Sequence, residues 1–168
     1  MPTSSSMGRG LSADVLIIGG GGAGLAAAVA AAEAEANKVI VLEAGHQPGG
    51  NAVFPEGIFA AESRVQKRLA IDARSDEMFK VAMSYSHWKI NPRLVRALLE
   101  KSGDTIQWLE GKGVEFSDII RHYPNQAPCT FHVVRPPART GSAVVKALRE
   151  SCERGPIPRC RFIPLAHD

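Results

Sequence analysis

The sequence predicts an α/β fold with a parallel sheet, and three features near the amino terminus carry this prediction. The short apolar run DVLIIG at 14–19 is typical of a strand that is buried on both faces of a sheet. Four glycines follow at 19–22, and the alanine-rich stretch after them predicts a helix over 22–35. The run KVIVLEAG predicts a second buried strand, which ends in Glu43. Strand, glycine turn, helix and strand in this order indicate a βαβ unit.

Composition limits the size of the fold and the class of partner. With 168 residues, 45% of them hydrophobic, the chain can form one globular domain with a core, but not a large two-domain enzyme. The net charge of +3 is spread along the chain, so no nucleic-acid partner is expected. The three cysteines (Cys129, Cys152 and Cys160) form no CxxC pair, which argues against a disulfide framework or a metal site and favours a reducing compartment.

The charge-free stretch over 15–32 is long enough to suggest a membrane span or a signal sequence. Four consecutive glycines disfavour an isolated helix, by roughly 1 kcal/mol each relative to alanine. Asp14 precedes the stretch, whereas a signal sequence needs a positively charged flank. We therefore expect no membrane span, and we expect the protein in the cytoplasm.

The glycine turn has the spacing of a phosphate-binding loop. Gly19, Gly21 and Gly24 stand in the pattern GxGxxG. The first glycine permits a tight turn, the second lets a pyrophosphate approach the backbone, and the third lets the helix pack close to the strand. The N–H groups and the partial positive charge at the amino end of the helix favour an anion at the same place. The alternative is a glycine-rich turn in an ordinary α/β unit.

An acidic residue lies where such a loop requires one. Glu43 ends the second strand, 24 residues after Gly19. A carboxylate there accepts hydrogen bonds from the adenosine ribose and repels a 2′-phosphate. The ligand predicted from these residues is therefore FAD or NAD rather than NADP.

The segment EAGHQPGGNAVFPEGIFAAES, which follows the second strand, narrows the choice. A βαβ unit at the amino terminus, an acid, a short loop and GGN resemble the FAD-binding domain of the fumarate reductase and succinate dehydrogenase flavoprotein superfamily. The sequence is most similar to the soluble branch, which includes flavocytochrome fumarate reductases and ketosteroid dehydrogenases. The resemblance runs over about 13–155 and is most specific over 13–52. It implies a Rossmann-like FAD-binding domain, incomplete and with added helices, in an oxidoreductase that moves a hydride between flavin and a carbon adjacent to a carbonyl or carboxylate.

The resemblance also implies a set of cofactor-binding residues. Carried over one by one, they are Gly19, Gly21, Ala23, Gly24, Glu43, Ala44, Gly50, Asn51 and Ala52. Family members commonly have a Gly-Gly pair shortly after the asparagine, where this chain has only Gly57 followed by Ile58, and Gly57 is added to the set on that basis. Membrane-anchored relatives attach FAD covalently to a histidine in this loop, but 49–54 contain none, so FAD is expected to bind noncovalently. For the Pro-Gly-Gly segment alone, a plain turn is the alternative.

Four helices are expected after this loop, and they serve as scaffold. Ser75 caps a helix over 75–88, Asn91 and Pro92 start the next, Asp104 caps a separate one that stops at Gly113, and the last covers 142–153.

The proline-rich segment over 119–141 is predicted to be a loop or short hairpin. Its polar side chains could face a substrate carboxylate, but solvent is the better prediction. They are Arg121, His122, Tyr123, His132, Arg135 and Arg139. In the reductases that the chain resembles, the catalytic His and Arg lie further along, so the catalytic residues are unknown here.

The last part of the chain departs from the expected pattern. A third strand is due after the last helix, but Pro156, Pro158 and Pro164 remove ladder donors. We therefore expect an irregular tail over 156–168, a disordered tail over 1–12 and an FAD-binding domain over 13–155. The chain is interpreted as a truncated amino-terminal piece that is inactive by itself.

The expected partner is a small-molecule substrate of the dicarboxylate or ketone class, and the sequence does not identify the electron donor. Two alternatives stay open at this point. One is a catalytically silent dinucleotide-binding fragment, and the other is an NAD-binding dehydrogenase domain.

Overall fold

The computed structural model describes residues 11–121, 129–135, 140–154 and 160–165. The chain divides into two compact units. The first unit comprises 1–50 together with 149–168, and the second comprises 51–148.

The first unit is a parallel three-stranded sheet with the predicted βαβ connection. Strand β1 (Val15–Ile18), helix α1 (Gly22–Glu33) and strand β2 (Val39–Glu43) follow in order. Val15 pairs with Val39, so the two strands start level with each other. The Asp14 carboxylate accepts the N–H groups of Asn37 and Lys38, both at 2.9 Å, and so fixes the start of β2 beside the start of β1.

The third strand of this sheet corrects the prediction of an irregular tail over 156–168 for residues 160–164, while 156–159 and 166–168 lie outside the described residues. Cys160–Pro164 form strand β6, which pairs in parallel with β2 in the sheet order β1-β2-β6. Pro156 and Pro158 precede the strand, and Pro164 is its last residue. Within the described residues β6 pairs only with β2, and an edge strand tolerates a terminal proline because its free side needs no ladder donor.

The second unit combines a small antiparallel sheet with helices. The elements of this unit are β3 (Ile58–Phe59), α2 (Arg64–Arg68), α3 (Ser75–Tyr85), α4 (Pro92–Gly111), β4 (Phe116–Ile120), β5 (Phe131–Val134) and α5 (Thr140–Glu153). The last turn of α5, from Arg149 onward, belongs to the first unit. The three strands form a sheet in the order β3-β5-β4. Ala61, Met78 and Leu99 form a buried cluster at the centre of this unit.

Helix α4 corrects a second prediction. Asn91 caps it through the N–H of Arg93, as expected, but the helix continues through Asp104 instead of ending before it. Gly103 lies in the interior, where an added Cβ would come within 3.0 Å of the carbonyl oxygen of Ala61. The glycine therefore allows close packing and does not end the helix. The predicted stop at Gly113 agrees with its φ of +93° directly after the helix.

Helix α3 starts one residue earlier than a Ser75 cap requires. Arg74 occupies the N-cap position without a side-chain cap, and Ser75 is the first helical residue. Across the described ranges, none of the helices is long and apolar enough to cross a membrane.

The predicted hairpin is present as β4 and β5, which pair antiparallel. The expectation that its polar side chains face solvent holds for Arg121 and Arg135 and is wrong for His132, which is fully buried. His122, Tyr123 and Arg139 lie outside the described residues.

Candidate dinucleotide site

The glycine turn connects β1 to α1 in the first unit. Gly19 has φ +91°, a conformation that residues with a side chain rarely adopt. Its N–H donates to the carbonyl oxygen of Leu42 at 2.7 Å, which extends the pairing of β1 with β2 by one residue. A Cβ at Gly19 would meet nothing within 4 Å. The glycine is therefore required by the turn's backbone conformation and not by crowding.

Gly24 serves the contact between α1 and β1. A Cβ on it would overlap the carbonyl oxygen of Gly19 and would lie 3.4 Å from the Ile17 side chain. This is the close approach of helix and strand that the sequence predicts for the third glycine of the motif.

Gly21 is the N-cap residue of α1 and has the extended angles φ −70° and ψ −175°. No side chain in the described residues caps the helix there. If Gly21 carried a Cβ, the nearest atom to that Cβ would be the carbonyl oxygen of Gly49, at 4.0 Å. The first N–H groups of an α-helix have no intrahelical acceptor, so this end of α1 presents donors beside open backbone. Ala23, in the first turn, is exposed.

Glu43 lies at the end of β2 with its carboxylate directed at the glycine turn. Oε1 accepts the N–H of Gly45 at 2.8 Å, and Oε2 accepts the N–H of Gly20 at 2.7 Å. These N–H groups, that of Gly45 foremost, lower the pKa of Glu43 from its ordinary value. The side chain is half-buried, and Ala44 after it is exposed. The turn therefore holds an oriented, ionised carboxylate.

The PGGN segment returns to the same turn. The N–H of Gly49 donates to the carbonyl oxygen of Gly20 at 2.8 Å, and Gly49 forms an isolated parallel bridge with Gly21. Gly50 has φ +50°, and a Cβ on it would be 3.8 Å from the Cα of Gly21. Seven of the predicted residues thus lie in the first unit around one turn: Gly19, Gly21, Ala23, Gly24, Glu43, Ala44 and Gly50.

The other three predicted residues belong to the second unit. Asn51 is exposed and Ala52 is half-buried. Gly57 is buried, and a Cβ on it would lie 2.8 Å from the ring of Phe131. Gly57 therefore has a packing reason of its own, and its contact with a cofactor stays a prediction.

Sequence reasoning missed a buried polar cluster in the second unit. His132 Nδ1 lies 3.0 Å from the carbonyl oxygen of Thr130 and 3.2 Å from that of Ile58, so Nδ1 carries the proton and donates. Nε2 then accepts from the Ser63 hydroxyl at 2.6 Å. Burial lowers the pKa of His132, and this favours the neutral form that the cluster requires. A buried imidazole needs hydrogen-bond partners for both ring nitrogens, but the sequence does not indicate which groups provide them.

The cysteines are free thiols. Cys152 and Cys160 are buried, the Cys160 thiol donates to the carbonyl oxygen of Ala28 at 3.8 Å, and burial raises the pKa of both thiols. In the ranges that the structure covers, no group of three or more His, Cys, Asp or Glu side chains could hold a metal ion.

Comparison with known proteins assigns most of the chain, including this turn, to one family. The family described as FAD binding domain matches residues 14–164. Vinyl phenol reductase of Lactiplantibacillus plantarum is 35% identical over 97 residues, which cover 58% of this chain and 19% of that protein. NADH:fumarate oxidoreductase of Klebsiella pneumoniae is 36% identical over 109 residues, which cover 64% of this chain and 12% of that protein. The chain thus spans a fifth or less of the length of these relatives.

Solved structures show the same fold. The open conformation of a flavocytochrome c3 fumarate reductase superposes on 92% of this chain with a TM-score of 0.80 and 28% identity, and the match covers 27% of that chain. The 3-ketosteroid-Δ4-(5α)-dehydrogenase from Rhodococcus jostii RHA1 superposes on 96% of this chain, with a TM-score of 0.73 and 24% identity over 40% of that chain. The second likeness concerns the fold alone.

Proposed function

The chain belongs to the FAD binding domain family, and we propose that it forms the FAD-binding part of a flavin-dependent oxidoreductase similar to fumarate reductase. The observation that carries the proposal is the Glu43 carboxylate, which two backbone N–H groups hold beside the glycine turn. A dinucleotide has a diphosphate next to a ribose, and the turn offers an open backbone next to an ionised acceptor. The residues present therefore fit FAD.

Each group at the turn has a distinct task in this proposal. The N–H groups at the start of α1 donate to the diphosphate, and the partial positive charge of the helix end favours its negative charge. Gly21 keeps the backbone accessible, since a Cβ there would extend into the space that the diphosphate needs. The Glu43 carboxylate would accept hydrogen bonds from the hydroxyl groups of the adenosine ribose. FAD, when bound, supplies the hydride chemistry, and the chain supplies binding and orientation.

The family match supports FAD over the NAD alternative. Noncovalent attachment is part of the proposal and is supported by the absence of histidine from 49–54. Precipitation with acid tests it, because a noncovalent flavin stays in the supernatant and a covalent one sediments with the protein.

For the whole enzyme we propose a broad substrate class, whereas the cofactor is proposed as one compound, FAD. One relative is named for fumarate, a dicarboxylate, and the other for a vinyl phenol. We keep a hydride transfer to or from a carbon adjacent to a carbonyl or carboxylate as the proposed reaction, with the electron donor open. The cytoplasm stays the proposed location, supported by the free thiols.

The experiment that tests this function is a titration of the chain with FAD, followed by flavin fluorescence. Binding is measured and not turnover, because the chain spans a small share of its relatives. Glu43→Gln should weaken FAD binding at least about tenfold, the equivalent of about 1.4 kcal/mol. Glu115→Gln, at an exposed acid of the second unit, is the matched control and should leave the affinity unchanged.

Competition experiments separate the alternatives. ADP should displace FAD from the chain. ADP that carries a 2′-phosphate should displace FAD poorly from the wild-type chain and better from the Glu43→Gln variant. A folded chain that binds NAD and not FAD would point to the dehydrogenase alternative. A folded chain that binds neither would leave the silent fragment, and the proposed function would be wrong.

A further inference from the structure

The Thr-Gly pair at the start of α5 is a motif to which the proposed function assigns no role. Thr140 is 2% exposed, and both capacities of its hydroxyl are used. Oγ1 donates to the carbonyl oxygen of Glu56 at 2.7 Å and accepts the N–H of Val134 at 3.0 Å. The hydroxyl therefore joins the end of β5 to the segment before β3.

Gly141 approaches the same segment with its backbone. Its N–H donates to the carbonyl oxygen of Pro55 at 2.8 Å. A Cβ on Gly141 would lie 2.5 Å from the carbonyl oxygen of Ala52 and 2.7 Å from the carbonyl carbon of Val53. Real Cβ atoms essentially never come so close to backbone atoms, so position 141 excludes a side chain.

These contacts fall on one loop, residues 51–57, which contains three of the predicted FAD contacts. Gly141 packs against the backbone at 52–53 and donates its N–H at 55, and Thr140 donates its hydroxyl at 56. The start of this loop is a 3-10 helix (Gly50–Val53), and the N–H of Phe54 donates to the carbonyl oxygen of Asn51 at 3.3 Å. Helix α5 thus supplies contacts to loop 51–57 at several successive residues.

We infer that Thr140 and Gly141 are positioning residues for FAD, which act through loop 51–57 without touching the cofactor. The inference rests on the proposed function, because the loop contributes to FAD binding only if the chain binds FAD. A side chain that contacts a ligand must be held within a fraction of an ångström of its productive place, and residues behind it provide that restraint.

The loss of the Thr140 hydroxyl removes the hydrogen-bond partner of two part-buried backbone groups. The carbonyl oxygen of Glu56 and the N–H of Val134 must then find water or move. Either change removes the direct link between the loop and β5. The side chain's volume is not what matters here, so a variant of equal shape without the hydroxyl should show the effect.

Thr140→Val is that variant, and Thr105→Val is its matched control. Thr105 is an exposed threonine of α4 whose hydroxyl bonds within the helix to Lys101. We expect Thr140→Val to weaken FAD binding by the chain at least about tenfold and to reduce the quenching of flavin fluorescence at saturation. Thr105→Val should change neither quantity. Affinities are compared well below the melting temperature of each variant.

Thr140→Ser and Thr140→Ala form a second pair, which differs only in the hydroxyl. The serine variant should bind FAD within about threefold of wild type, and the alanine variant should behave like the valine variant. This rescue separates a positioning role from general destabilisation, because both variants lose the same methyl group.

The outcomes are distinguishable from those of the proposed function. If the wild-type chain binds FAD and a folded Thr140→Val binds it with equal affinity and equal quenching, the inference is wrong and the function stands. If both hydroxyl-free variants fail to fold, the hydroxyl serves the fold of the second unit, and the inference is overturned as well. If the wild-type chain does not bind FAD, the proposed function fails first.

Discussion

Gly24→Ala should destabilise the chain through a single backbone contact. The new methyl group would overlap the carbonyl oxygen of Gly19 and lie 3.0 Å from its carbonyl carbon. Those atoms belong to the turn between β1 and α1, so they cannot rotate away as a side chain could. Overpacking of this kind costs about 1–3 kcal/mol, and a rigid backbone neighbour places the change at the upper end, about 3 kcal/mol.

A gain in helix propensity offsets part of this cost. Alanine is favoured over glycine inside a helix by about 1 kcal/mol, so a net loss of about 2 kcal/mol is expected. Gly111→Ala is the control, because Gly111 ends α4 and an added Cβ there meets nothing within 4 Å. That variant should be unchanged or slightly more stable. Urea unfolding followed by circular dichroism gives both values.

Gly21→Ala should give the opposite result with the same substitution. Gly21 has φ −70°, which alanine adopts freely, and the atom nearest to its added Cβ is the carbonyl oxygen of Gly49, at 4.0 Å. Stability should therefore change by less than about 0.5 kcal/mol, whereas FAD affinity should fall at least about tenfold. A Gly24→Ala chain as stable as wild type, or a Gly21→Ala chain that unfolds early, would refute the reasoning from these distances.

The remaining predictions concern buried titratable groups. Burial lowers the pKa of His132 while nearby Glu110 opposes the shift, so the unfolded chain takes up the proton first. The unfolding free energy should therefore be fully present above about pH 6.5 and fall below it, and urea titrations at several pH values should show a smaller fall for His132→Gln. Cys152 and Cys160 are buried with raised pKa values, whereas Cys129 is half-exposed. A thiol reagent should label Cys129 first in the native chain and the other two only on unfolding, and equal labelling rates would contradict the structure.

The βαβ unit could be predicted because its signals are local. The apolar runs, the glycines and the alanine-rich helix lie next to one another in the chain, and Glu43 follows at a fixed distance. The stop of α4 at Gly113 is local as well, since the residue's own positive φ defines it. In both cases one short segment contains the residue and its reason.

Three of the differences between prediction and structure have the opposite property. Strand β6 forms because β2 offers a free edge more than a hundred residues earlier in the chain, and proline content alone does not reveal that edge. His132 is buried because Ser63, which lies 69 residues away, provides its partner. Asp104 does not start a helix, because α4 packs against a backbone segment near Ala61 and continues past it. Each outcome depends on a distant contact that no local pattern encodes.

The glycines between positions 19 and 24 are required for different physical reasons, although they belong to one turn. Gly19 is required by its φ, whereas a Cβ on Gly20 would crowd the Glu43 carboxylate and the Pro48 side chain, each at 3.0 Å. Gly21 is required by neither conformation nor packing within the described protein, and in the proposed function the diphosphate is the reason for a glycine there. Gly24, at the end of the pattern, is required by the contact between helix and strand. GxGxxG spacing assigns these positions to one function, but only Gly21 should report on the cofactor alone, and it is therefore the position at which loss of FAD can be read without loss of the fold.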